Sequence, residues 1–310
     1  MAKTPKQVII LGPTCTGKTS LALNIAKKTG ACIVSVDSRQ VVKHMDIGTG
    51  KLPVLQESID VVRKKDAWEL NGISVYGYDL VEPDQFYSAF DFSNYYQSIQ
   101  SLLPNHLLVG GTGFYLDVLT GLVAIQGQGP DMVLRRTLER LATGELAALF
   151  LTLTKDSTST VDLHNRARLI RAVEKLKRPV AESTAKQSPP NPADYRLVGL
   201  TAERSLLYQR ADAWVNSVFG DALIQEALFI QEHFPMASRL NGLIYKNVMD
   251  YLHTACTLVE AKQRAKYGMH AYIRRQLTWF RKNSAIHWVN VGQKGFDSEV
   301  LSIVESNLHG

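Results

Sequence analysis

Short apolar runs alternate with helix-like segments along most of the chain. The strand-like runs are rich in valine, isoleucine and leucine, and they lie at residues 8–11, 33–36, 74–80, 107–109, 196–200 and 287–291. Residues 18–29 place their apolar side chains on one helical face, carry two lysines in the last turn and stop at a glycine. Residues 204–281 are also mostly helical in pattern. Strands separated by helices predict an α/β fold, in which helices flank a parallel sheet.

The pattern changes in the middle of the chain. Residues 131–182 are charged and helix-prone, and clusters of glycine and proline bound them on both sides. Strand character returns only after these breaks. We therefore predict a smaller helical insertion domain at residues 124–193, set into an α/β core made of residues 1–123 and 194–310.

Composition and charge narrow the class of protein. Of the 310 residues, 45% are hydrophobic and 21% charged, and the formal net charge is +6, which favours an anionic partner such as phosphate or nucleic acid. The sequence contains no apolar run long enough to span a bilayer and no secretory signal. Its three cysteines form no disulfide or metal-binding pattern. We expect a cytoplasmic protein with no membrane association.

The first strand leads into a complete phosphate-binding motif. The pattern G-x-x-x-x-G-K-[ST] is formed by Gly12, Pro13, Thr14, Cys15, Thr16, Gly17, Lys18 and Thr19. Its glycines let backbone N–H groups turn inward toward phosphate oxygens, while the lysine adds a positive charge. The Thr19 hydroxyl is the predicted ligand of Mg²⁺. A strand, this loop and a helix in that order predict a P-loop NTPase-like core.

An ATPase would normally add a strand that ends in a metal-binding aspartate. The strand at residues 107–109 ends in two glycines instead. Asp79, which follows residues 75–78 near the end of the strand predicted at 74–80, could replace the missing acid or simply cap that strand. The sequence thus gives little support to nucleotide hydrolysis.

Asp37 directly follows the strand at residues 33–36. Ligands of open α/β sheets bind at the carboxyl ends of strands, so this carboxylate is placed to accept a proton from a nucleophile near the phosphate. A cap on a following helix is the structural alternative. The phosphate loop and the acid together fit two classes of enzyme: a small-molecule kinase, or a transferase with a pyrophosphate leaving group.

Five segments make the chain similar to the tRNA dimethylallyltransferase (tRNA isopentenyltransferase) family. They are GPTCTGKT at 12–19, SVDSRQVVKHMDIGTGK at 35–51, VGGTGFYLDVLTGL at 109–122, NRARLIRAVE at 165–174 and RRQLTWFRK at 274–282. The resemblance spans most of the chain. It implies that dimethylallyl pyrophosphate occupies the loop and that the prenyl group passes to N6 of the adenine next to the tRNA anticodon (position 37). The catalytic residues that it implies are Thr14, Lys18, Asp37 and Arg210.

The same resemblance implies a surface for the tRNA anticodon stem-loop. Residues 262–282 support an RNA partner, because they hold seven Lys or Arg, no acid and several aromatic residues. A charged helix face can also be merely solvated. The implied tRNA-binding residues are Asp37, Ser38, Arg39, Gln40, Thr112, Arg135, Ala167, Arg168, Leu169, Ile170, Arg171, Tyr245, Lys246, Arg275 and Gln276. We expect the protein to act as a monomer.

The chain departs from the family pattern at a few positions, and other functions stay open. The departures lie at residues 77–78, 214, 241–246 and 270. Alternative functions are an adenylate isopentenyltransferase, a P-loop small-molecule kinase and a noncatalytic RNA-binding protein.

Cys15 lies at a helix N-terminus, which favours a lowered thiol pKa and alkylation blocked by pyrophosphate. An inert residue that fills a gap is the alternative.

Overall fold

The computed structural model describes residues 6–52, 59–103, 105–124, 131–154, 161–177 and 190–308. Its strands are β1 (Gln7–Leu11), β2 (Cys32–Val36), β3 (Val61–Arg63), β4 (Trp68–Leu70), β5 (Ile73–Tyr76), β6 (His106–Gly110), β7 (Tyr195–Thr201) and β8 (His287–Asn290). Its α-helices are α1 (Lys18–Thr29), α2 (Ala89–Ile99), α3 (Gly113–Leu119), α4 (Met132–Leu138), α5 (Thr143–Leu153), α6 (Arg166–Lys177), α7 (Arg204–Val218), α8 (Asp221–His233), α9 (Leu243–Leu252), α10 (Leu258–Phe280) and α11 (Phe296–Leu308). None of the described helices is both long enough and apolar enough to cross a membrane.

The described strands form one sheet in the order β3-β4-β5-β2-β6-β1-β7-β8. From β5 to β8 every neighbouring pair is parallel, which confirms the predicted α/β fold. The short strands β3 and β4, at one end of the sheet, pair antiparallel and were not predicted. The strand predicted at residues 74–80 ends earlier, at Tyr76, because Gly77 and Asp79 turn the chain with φ of 86° and 56°.

The centre of the sheet is buried and mostly apolar. Residues 8–11 of β1 and most of β2 and β6 are buried, and α1 packs its buried leucines, isoleucine and alanines against them. Strands buried on both faces read as continuous hydrophobic runs, which explains why these three were visible in the sequence. Their carboxyl ends lie side by side, with Leu11 paired to Gly110 and Gly110 paired to Val36.

The chain divides into two compact units, Met1–Val123 with Pro190–Gly310, and Ala124–Pro189. The larger unit contains the sheet. The smaller unit contains α4, α5 and α6 around a core of its own, formed by Leu138, Leu146, Phe150, Leu169, Ile170 and Val173. Of the segment predicted as helix-prone, residues 155–160 and 178–182 lie outside the described part.

Candidate active site

The phosphate loop connects β1 to α1 through a backbone that needs glycine. Gly12 has a φ of 142°, and a Cβ there would lie 2.4 Å from the carbonyl oxygen of Leu200. Gly17, with a φ of 83°, precedes the first turn of α1. The Lys18 ammonium group folds back and donates a hydrogen bond to the Pro13 carbonyl at 2.8 Å. The loop is thus closed on itself around the N-terminus of α1, where an anion is favoured.

Asp37 and Lys18 influence each other electrostatically across this end of the sheet. Burial raises the pKa of the Asp37 carboxyl, against the opposing effects of the Arg39 N–H group and the Lys18 ammonium. Burial also lowers the pKa of Lys18 to about 8, and nearby Asp37 works against this shift. The Asp37 carboxylate accepts the Arg39 N–H at 2.8 Å in a turn, with no helix following, so it is not a helix cap.

A cavity of about 680 Å³ opens at the carboxyl ends of the strands. Thr14, Lys18, Asp37 and Arg210, the predicted catalytic residues, all line it, together with the rest of the loop from Cys15 to Thr19. Arg210 extends from α7 and donates to the Cys15 carbonyl at 3.5 Å. The structure therefore brings an ammonium, a guanidinium and a carboxylate to one cavity.

Two of the predicted RNA contacts instead connect parts of this cavity to each other. The buried Gln276 amide accepts the Thr14 N–H at 2.9 Å and donates to the Gly111 carbonyl at 2.8 Å. The Thr112 hydroxyl accepts the Ser38 N–H at 3.0 Å. The side chain of Gln276 thus connects the phosphate loop to Gly111.

Gln40 and Tyr245 also have internal partners. Gln40 accepts the Ser35 hydroxyl at 2.6 Å and donates to the Gly50 carbonyl at 3.0 Å. The Tyr245 side chain is buried, and its hydroxyl donates to Glu226 at 2.6 Å. Sequence reasoning missed Glu226, because an acid on a helix pattern is ordinarily solvated.

In the smaller unit, two predicted RNA contacts share a buried acid. Arg135 forms two hydrogen bonds to Glu174, both at 2.8 Å, and Arg171 contacts the same carboxylate at 3.2 Å. The Glu174 side chain is only 1% exposed. Both arginines therefore help to neutralise a buried charge in this unit.

The helix α6 divides the remaining predicted contacts by its two faces. Leu169 and Ile170 are buried, and their side chains pack in the core of the smaller unit. Ala167 and Arg168 are exposed. Arg168 is therefore an exposed cation on α6.

Exposed cations also occur on the larger unit. Lys246 is exposed and bonds Asp250 one helical turn away at 2.7 Å. The exposed Arg275 lies over the ring of Tyr272, at 5.6 Å from its centre. Tyr272 itself lines the cavity. Arg275 is thus a basic group directly beside the opening.

Asp79 and Cys15, a candidate metal-binding acid and a candidate reactive thiol, lie in surroundings that do not suit those roles. Asp79 receives hydrogen bonds from the buried Lys51 ammonium and, at 2.8 Å, from the Trp68 indole, so it does not replace a missing metal-binding acid. Among the described residues, no three His, Cys, Asp or Glu side chains cluster as a metal site. Burial raises the pKa of the Cys15 thiol, against the lowering effects of Thr14, Lys18 and others. The lowered thiol pKa expected from the helix N-terminus is therefore wrong.

Two departures from the family pattern border the site. Trp214 lines the cavity one turn beyond Arg210 on α7. His270 shares a hydrogen bond of 2.8 Å with Asp212 and stacks on Tyr208, with ring centres 4.1 Å apart. Trp214 thus forms part of the cavity wall, and His270 is held by two residues of α7.

Comparisons with known proteins agree with this geometry. A family model described as IPP transferase matches residues 40–283, and one described as Isopentenyl transferase matches residues 5–63. The chain is 33% identical over 299 residues to a tRNA dimethylallyltransferase of Pediococcus pentosaceus, covering 93% of this chain and 92% of that protein. It is 36% identical over 317 residues to one of Geobacter metallireducens, covering 97% of each.

Solved structures give the same result. The tRNA isopentenylpyrophosphate transferase of Bacillus halodurans is 26% identical, with a TM-score of 0.68 over 98% of this chain and 97% of that one. A eukaryotic dimethylallyltransferase described as acting on tRNA, 19% identical, shares the fold with a TM-score of 0.71. The resemblance inferred from five sequence segments is confirmed. The chain belongs to the tRNA dimethylallyltransferase family.

Proposed function

We propose that this protein transfers the dimethylallyl group from dimethylallyl pyrophosphate to N6 of the adenine next to the anticodon of tRNA and releases pyrophosphate. The observation that carries the proposal is the joint presence of Lys18, Asp37 and Arg210 on one cavity at the end of the sheet. Membership of the family supports the same reaction and disfavours an adenylate isopentenyltransferase or a kinase.

Asp37 is the proposed general base. The exocyclic amine of adenine is a weak nucleophile, so a carboxylate that orients it and removes its proton assists the attack. Burial raises the pKa of Asp37, which makes its carboxylate a better proton acceptor. As the new N–C bond forms, the allylic C–O bond breaks, its electron pair leaves with pyrophosphate, and the amine proton passes to Asp37.

The phosphate loop is the proposed site of the leaving group. Charge develops on pyrophosphate as the C–O bond breaks, and preorganised donors stabilise it at that moment. Lys18 and Arg210 provide positive charge, and the backbone N–H groups at the start of α1 provide fixed donors. Thr14, whose N–H is held by Gln276, belongs to the same loop.

The residues of the loop also suit Mg²⁺. The Thr19 hydroxyl lines the cavity, and Mg²⁺ prefers oxygen ligands drawn from one or two protein groups together with substrate phosphates. Thr19 would hold the ion, which when bound would neutralise charge on the pyrophosphate.

The anticodon stem-loop is the proposed acceptor. Single-stranded RNA is recognised by cations that contact phosphates and by aromatic rings that stack on bases. Arg275 and Tyr272 combine both features beside the cavity, and Arg168 is an exposed cation on the smaller unit. The target adenine must leave its stack to meet Asp37 inside the cavity.

The direct test compares acceptors. We would incubate the protein with dimethylallyl pyrophosphate, Mg²⁺ and either an unmodified anticodon stem-loop or AMP, and detect dimethylallyl-adenosine by mass spectrometry. We expect transfer to the RNA, and a loss of about 10²–10⁴ in kcat for Asp37→Asn with tRNA affinity retained. Transfer to AMP alone, or full turnover by Asp37→Asn, would contradict the proposal.

A further inference from the structure

One partly buried carboxylate organises a wall of the cavity. Glu226, on α8, accepts the backbone N–H groups of Asp46, Ile47 and Gly48 at 2.7, 2.9 and 3.1 Å. It also accepts the hydroxyl of Tyr245, on α9, at 2.6 Å. Two oxygens thus receive four hydrogen bonds from two segments far apart in the sequence.

The segment that Glu226 holds continues directly into the active cavity. Gly48, Thr49 and Gly50 line it. The backbone at Gly48 lies so close to the Tyr245 ring that a Cβ there would be 2.4 Å from it. Tyr245 therefore supports this wall from behind, both by packing and through Glu226.

The wall formed by residues 48–50 lies between the proposed base, Asp37, and the pyrophosphate-binding Arg210. Gln40, three residues after Asp37, holds the Gly50 carbonyl at 3.0 Å. On the other side, Trp214 lies one turn from Arg210 and would contact a Cβ at Gly50 at 3.8 Å. A displacement of this wall therefore changes the space between Asp37 and Arg210.

The four hydrogen bonds accepted by Glu226 require a carboxylate. Three converging N–H donors and a hydroxyl need four acceptor sites, which a carboxylate has and an amide lacks. Burial, together with the neighbouring Glu226 carboxylate, raises the pKa of Tyr245 well above its usual value, which keeps its hydroxyl a donor.

Building on the proposed function, we propose that Glu226 and Tyr245 are positioning residues that hold the wall formed by residues 48–50 for dimethylallyl transfer. They do not touch the reacting atoms. Their effect is expected on kcat, because RNA affinity depends on exposed cations elsewhere and a small misplacement inside a cavity slows the chemical step.

The test compares Glu226→Gln, Tyr245→Phe and the double variant with Glu232→Gln, an exposed acid on the same helix. For each we would measure kcat, KM for both substrates, tRNA affinity and the thermal midpoint, with turnover assayed well below that midpoint. We expect Glu226→Gln to lower kcat about tenfold. Tyr245→Phe, which removes one hydrogen bond, should lower it about threefold.

Non-additivity distinguishes positioning from general destabilisation. Because both side chains act on the same wall, the double variant should be no slower than Glu226→Gln, while Glu232→Gln keeps full turnover. A lower thermal midpoint with unchanged kcat for both single variants would overturn the inference, and so would a loss confined to tRNA affinity. A wild-type protein that transfers no dimethylallyl group would instead overturn the proposed function.

Discussion

The lysine of the phosphate loop should give the reaction an alkaline limit. Burial lowers the pKa of Lys18 to about 8 in the free protein, although the Asp37 carboxylate favours its charged form. Only the ammonium form attracts pyrophosphate. The plot of kcat/KM for dimethylallyl pyrophosphate against pH, which reports the free enzyme, should therefore fall above about pH 8.

The size of the effect follows from the fraction of Lys18 that stays protonated. One unit above its pKa, at about pH 9, roughly a tenth of the ammonium remains, so kcat/KM should be about tenfold below its plateau. Bound pyrophosphate places negative charge beside the ammonium and raises its pKa. The alkaline limb of kcat should therefore lie at higher pH than that of kcat/KM.

The assay is prenyl transfer to an anticodon stem-loop between pH 6 and pH 9.5, with Lys18→Arg as the diagnostic variant. Its guanidinium does not titrate in this range, so the limb should disappear even if absolute activity falls. The wild type and the variants receive the same RNA, so titration of the RNA itself affects all their profiles equally. Cys15→Ser controls for the neighbouring thiol, whose pKa is raised above its ordinary value, and should keep the limb. A flat wild-type profile, or the same limb in Lys18→Arg, would refute this reasoning.

Three further predictions concern the framework and the RNA surface. Lys51→Met leaves Asp46 and Asp79 without their buried partner and should lower the free energy of unfolding by about 3–5 kcal/mol in urea denaturation. Lys43→Met, in a more exposed ion pair, should lower it by less than about 1 kcal/mol. Equal losses in the two variants would contradict the argument. Gln276→Leu removes the support of the phosphate loop and should raise KM for dimethylallyl pyrophosphate about tenfold in steady-state kinetics; the exposed Thr278→Ala is its control, and an unchanged KM would count against that support. Arg168→Ala should weaken tRNA binding and reduce the slope of log affinity against log salt by about 1, whereas an unchanged slope would remove Arg168 from the RNA surface.

The central strands and the phosphate loop were predictable because their signals are local. The buried strands β1, β2 and β6 each contain a run of three or four apolar residues, and the loop needs glycine at fixed positions for steric reasons. The edge strands β3 and β4 have three residues each, too few for a recognisable alternation of polar and apolar positions. Their pairing depends on tertiary context that no window of the sequence contains.

The supporting residues were not predictable for a different reason. Gln276 bonds Thr14 across 262 positions of sequence, and Glu226 bonds Asp46 across 180. Both lie on helices whose pattern is typical of ordinary amphipathic segments, where a polar side chain is usually solvated. Family resemblance marked Gln276 and Tyr245 as functional, and the structure adds the internal partners of their side chains, Thr14 and Gly111 for Gln276 and Glu226 for Tyr245.

The site combines residues that the sheet positions with residues that the surrounding helices position. The loop and Asp37 follow the carboxyl ends of β1 and β2, two parallel strands that lie on either side of β6, so the sheet register brings them to the same end of the sheet. Arg210, Glu226, Tyr245 and Gln276 come from α7 to α10, whose positions depend on side-chain packing. A helix can shift and repack at a moderate energetic cost, whereas a one-residue slip in a buried strand turns every side chain to the opposite face. Changes in substrate choice should therefore arise on the helices, where Trp214 and His270 already depart from the family pattern, while the phosphate loop and its acid stay in place.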